Sequence, residues 1–72
     1  MKKIVLEEAK RLKFLYQLCE ENYWHILPTQ PKETWKLTEA DSRWILSVRN
    51  IPQLYLNHEE AIAFLAIRAK SQ

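Results

Sequence analysis

Not one of the 72 residues is glycine, so wherever the backbone turns through positive φ, a residue carrying a Cβ must occupy the position. Phosphate-cradling loops, dinucleotide fingerprints and nucleophile elbows depend on glycine for close approach or left-handed geometry, and these classes are excluded. The same absence draws attention to Asn50, because asparagine tolerates the left-handed region better than most residues with a side chain. Arg49-Asn50 lies between two β-prone runs, and a reversal of direction is expected there.

Those runs share a pattern. Trp24-His25-Ile26, Trp35-Lys36-Leu37 and Trp44-Ile45-Leu46 each place an indole two residues before an aliphatic side chain. In a pleated strand such residues lie on one face, so the three phrases predict one sheet surface of tryptophan and aliphatics. Strands are expected over residues 23–27, 34–38, 43–49 and 51–56. The loop at 28–33 contains Pro28 and Pro31, and Ala40-Asp41-Ser42 supplies turn chemistry. Pro52 lacks a ladder donor and marks the last run as an edge strand.

Helices are expected at both ends. Val5, Ala9, Leu12, Tyr16 and Cys19 follow one another at intervals of three and four, which predicts a helix over about residues 2–21 ended near Asn22. Leu6, Phe14 and Leu18 fall outside that stripe and give the helix a second apolar side. Near the other end, Asn57 is an N-cap with Glu60 three residues on, and the helix-forming run 61–69 follows. Glu59 and Glu60 at its start and Arg68 and Lys70 at its end complement the helix dipole. The resulting fold class is α+β: a single small domain over residues 1–72, built as a two-layer sandwich with an antiparallel meander of three to four strands between two helices. Its outer sheet face is expected to carry Thr34, Lys36, Thr38, Ser47 and Arg49.

This helix–strand–strand–strand–helix order is similar to that of double-stranded-RNA-binding domains in topology alone. The glycine-rich turn and the basic start of the last helix in that family have no counterpart here, since Asn57-His58-Glu59-Glu60 is acidic.

Charge and chemistry narrow the function further. Eleven basic and nine acidic residues are interspersed for a net charge of +2, which provides no strong overall field toward nucleic acid or anionic lipid. A lone Cys19 forms no internal disulfide, so a reducing, cytoplasmic setting fits; no membrane-spanning stretch is present. His25, His58 and Cys19 lack the paired short spacing of zinc sites, and no nucleophile–base–orienter set stands out. No metal, no cofactor and no enzyme activity are therefore expected.

What remains is binding. The uncharged stretch Pro52-Gln53-Leu54-Tyr55-Leu56 at a sheet edge, and the second apolar side of the first helix, suit a protein partner, including a second copy of the chain in a homodimer. The expected interface anchors are Phe14, Leu18, Tyr23, Trp24, Leu54 and Tyr55. The alternative is a nucleic-acid-binding module in which Lys10, Arg11, Lys13, Lys36 and Arg49 contact phosphates.

Overall fold

A computed structural model describes residues 2–70. The element order is α1 (Lys2–Arg11), β1 (Leu15–Leu18), β2 (Trp24–Leu27), β3 (Trp35–Ala40), β4 (Arg43–Val48), β5 (Ile51–Leu56) and α2 (His58–Lys70). The strands form one antiparallel sheet in the order β1-β2-β3-β4-β5, each pairing with its neighbours in sequence. The α+β class and the two terminal helices match the sequence reading, but the sheet has five strands rather than three to four.

The extra strand comes from the segment expected to continue the first helix. That helix ends at Arg11, and residues 15–18 are extended. Lys13 sits at φ 68°; its N–H donates to the Lys10 carbonyl at 3.0 Å, and the Phe14 N–H donates to the Ala9 carbonyl at 2.9 Å. This pair of bonds is a Schellman cap, with Lys13 in the left-handed position that glycine usually takes. Phe14 and Ala9, the apolar pair the motif brings together, are both buried. Beyond the cap, Leu15↔Leu27 and Leu18↔Trp24 pair β1 with β2.

The hairpin turns follow the same economy. Among the described residues, Lys13, Asn22, Asp41, Arg49 and Asn50 take positive φ. Arg49 and Asn50, at 54° and 68°, are the two central residues of the β4–β5 hairpin, the backbone signature of a type I′ turn. Val48 therefore faces Ile51, as expected for a two-residue loop. The register shifts between Leu46 and Ser47, since Leu46 faces Leu54 while Ser47 faces Pro52. Gln53 is left over as the extra residue of a bulge.

Both helices lie on one side of the sheet. Val5 and Ala9 of α1, Ala61 and Leu65 of α2, and Ile26, Trp35, Leu37 and Trp44 from the strands form the buried core with Phe14. The pairs Ile26↔Leu37, Leu37↔Leu46 and Glu39↔Trp44 place the tryptophan phrases on this same face. Trp35 and Trp44 are buried, whereas Trp24 is half-buried and packs against the core from its margin. Phe14 and Phe64 meet the Trp35 ring edge-on, at centroid distances of 5.4 and 5.0 Å, a favoured quadrupolar arrangement. The start of α2 is fixed by a reciprocal capping box: the Glu60 N–H donates to Asn57 Oδ1 and the Asn57 N–H donates to Glu60 Oε1, both at 2.8 Å.

Candidate interaction surfaces

The outer strand β5 is the least protected part of the sheet. Ile51, Leu54 and Tyr55 are 61%, 56% and 63% exposed, and the strand Ile51–Leu56 contains no charged residue. Cross-strand pairing sets Leu54 beside Leu46 and Ile51 beside Val48 on the helix side. Leu46 and Val48 in turn line a cavity of about 340 Å³ with Trp35 and Phe64, bordered by Lys32, Glu33, Thr34 and Arg68. The exposed Ile51 and Leu54 and the apolar floor of the cavity therefore form one continuous surface, while Tyr55, opposite Ile45, lies on the other face of the strand. Pro52 removes one backbone donor from this edge, and Gln53 Nε2 bonds the Ile51 carbonyl at 3.2 Å. These features blunt the strand only partly.

The opposite edge, β1, is also apolar. Leu15, Tyr16 and Leu18 are exposed; the Tyr16 ring lies 6.1 Å from the Trp24 ring and carries Lys10 Nζ over its face at 5.1 Å. Of the six expected anchors, Leu18 and Trp24 are cross-strand partners at this edge, and Leu54 and Tyr55 lie on β5. Tyr23 stacks on His25 at 5.4 Å and donates its hydroxyl to Glu21 at 2.8 Å. Phe14 belongs to none of these surfaces: at 3% exposure it is part of the core. Its place off the helical stripe had a different cause, since it is the residue that closes the helix cap.

The five basic residues have different partners. Arg11 is held by Glu8 in a 2.5 Å ion pair, which lowers the carboxyl pKa and raises that of the guanidinium through their hydrogen bond. Lys10 is engaged with Tyr16 on the helix side, and Lys13 closes α1. Lys36 instead belongs to the outer sheet face, where its Nζ reaches Asn50 Oδ1 at 3.5 Å, next to Arg49 in the turn. Lys10 and Arg11 are thus engaged with Tyr16 and Glu8, whereas Lys36 and Arg49 lie on or beside the outer sheet face.

The outer face follows directly from alternation and register. Gln17↔His25, His25↔Thr38, Thr38↔Ile45 and Ile45↔Tyr55 are successive cross-strand pairs, forming a row across all five strands. Lys36, Ser47, Ala40 and Arg43 share that face. Neither helix lies on it. His25 Nε2 is buried without a partner among the described residues, and its pKa is lowered, first by desolvation and then by the nearby Lys36 charge. Sequence alternation identified Lys36, Thr38 and Ser47 on this side but did not reveal the row, because the β1 partner was missing.

Among the described residues, no group of three or more His, Cys, Asp or Glu side chains is arranged to hold a metal ion, and no helix is long and apolar enough to cross a membrane. No protein-family model matches the chain, and no match was found among curated proteins or solved structures.

Proposed function

We propose that this chain is a small protein-binding module, acting without catalysis, whose principal docking surface is β5 together with the cavity beside α2. The observation that carries the reading is the uncharged outer strand with Ile51, Leu54 and Tyr55 more than half exposed, of which Ile51 and Leu54 adjoin the cavity floor at Val48 and Leu46. An unpaired strand edge offers backbone groups to an incoming strand, and flanking pockets select its side chains. Charge on an edge is a common device against such pairing, and this edge has none.

A second copy is the partner this edge suits first. Two β5 strands related by a two-fold axis pair antiparallel in an isologous interface that stops at a dimer, because each β5 edge is used by the other. Pairing β5 with β1 of another copy is heterologous: it leaves one edge of each kind free and extends indefinitely. The β1 anchors Leu18 and Trp24 are on this view a secondary surface.

Sedimentation equilibrium on the full chain tests the proposal, alongside variants Leu54→Lys and Tyr55→Lys. A dimer, or a complex with a captured protein, that both lysine variants abolish while circular dichroism stays unchanged supports it. A wild-type chain that remains monomeric at high micromolar concentration and captures no protein overturns it.

A further inference from the structure

We propose that the outer face of the sheet binds single-stranded nucleic acid, a role distinct from docking at the β5 edge although the two surfaces meet at Tyr55. An antiparallel sheet covered by helices on one side leaves its other face to solvent, and a face built only for solvation mixes charges of both signs. Here the strand residues of that face include Lys36 and Arg43 and no carboxylate. The one acidic strand residue, Glu39, lies on the helix side and accepts the Trp24 backbone N–H at 3.1 Å. Carboxylates stand at its rim: Glu21 accepts the Tyr23 hydroxyl, Glu39 and the turn residue Asp41 line a hollow with Tyr23, and Glu33 lines another with Lys36. Arg49 stands in the other turn, beside the Asn50 that Lys36 reaches.

The cations alone would suit any polyanion; the rings narrow the ligand. Tyr23 and His25 are stacked with 29° between their planes, and Tyr55 closes the far end of the row that runs through Thr38 and Ile45. Depression of the His25 pKa keeps its imidazole neutral at physiological pH, suited to stacking rather than to pairing with phosphate. Rings, hydroxyl and amide groups between two cations match an unpaired strand, whose bases are free to stack while its phosphates meet Lys36 and Arg43. A duplex hides those base faces.

The test is fluorescence anisotropy of a labelled mixed-sequence single-stranded oligonucleotide with the full chain at low salt, with the duplex of the same sequence and inorganic polyphosphate as competitors. Binding that weakens steeply with salt is expected. Lys36→Gln with Arg43→Gln should reduce the salt slope by roughly 0.7 per lost phosphate contact, and Tyr23→Leu should weaken binding about tenfold at unchanged slope. Absence of binding overturns the proposal, as does preference for the duplex, or equal displacement by polyphosphate with no effect of Tyr23→Leu. None of these substitutions touches β5, so failure here and failure of the edge interface are separately visible.

Discussion

Glu33 and Arg68, 35 residues apart, form a partly buried ion pair that ties the β2–β3 loop to the last turns of α2. The same carboxylate oxygen accepts the Trp35 indole N–H at 3.2 Å, so one side chain connects loop, sheet and helix. Arg68 Nε is buried with no partner among the described residues, which makes the guanidinium dependent on Glu33. Glu33→Ala is expected to destabilise the fold by about 2 kcal/mol, mostly by stranding the half-buried charge. Glu33→Gln, which retains an acceptor for Trp35, should cost less, and urea unfolding midpoints will order the two.

The left-handed Lys13 imposes a local strain that glycine would relieve. Lys13→Gly is expected to stabilise by roughly 0.5 to 1 kcal/mol, because the removed Cβ penalty exceeds the added freedom of the unfolded chain. Lys13→Val should do the opposite, since a β-branched side chain fits that region worst. Thermal unfolding of both variants measures the difference.

The reciprocal bonds of Asn57 and Glu60 predict a non-additive pair. Asn57→Ala should cost about 1 kcal/mol by freeing an orphan N–H at the start of α2. With Asn57 already replaced, Glu60→Ala should cost less than it does alone if the two bonds cooperate. A double-mutant cycle by chemical denaturation gives the coupling directly.

His25 makes stability depend on pH. Its folded pKa lies below the ordinary value of 6.5, so just below that value the unfolded chain binds more protons than the folded one. Stability is therefore full above pH 6.5, falls as pH drops through that value, and levels off below the folded pKa. His25→Phe should flatten this dependence between pH 7 and 5, read as the difference in melting temperature between the two proteins.

Much of the architecture was legible in the residues. Alternation placed β2 to β5, Pro52 marked an edge, Arg49-Asn50 marked a hairpin, and Asn57 with Glu60 marked the start of α2. The failure lay at residues 12–19, where spacings of three and four coincide with a period of two. Leu12, Tyr16 and Cys19 continue a helical stripe on paper, yet Phe14, Tyr16 and Leu18 alternate equally well. A signal was present: charged residues cease at Lys13 and do not resume until Glu20, too long a gap for the solvated side of a surface helix. The decisive event, a lysine in a left-handed cap, has no distinctive composition.

The candidate surfaces were legible to the same degree. Leu54 and Tyr55 were identified because their strand lacks charge and contains proline. Phe14 was misplaced along with its helix. The cavity beside α2 depends on how the helix crosses β4, and the row from Gln17 to Tyr55 depends on strand register; neither is written in local spacing.

The sheet is wired strictly from neighbour to neighbour, while α1 and α2, the first and last elements described, pack against each other across the same core. Hairpins can zip in any order at small entropic cost, but Val5 and Ala9 meet Ala61 and Leu65 only when the whole ribbon has curled. That final clasp joins the first element of the domain to the last, so the hydrophobic face of the sheet stays open until α2 has docked.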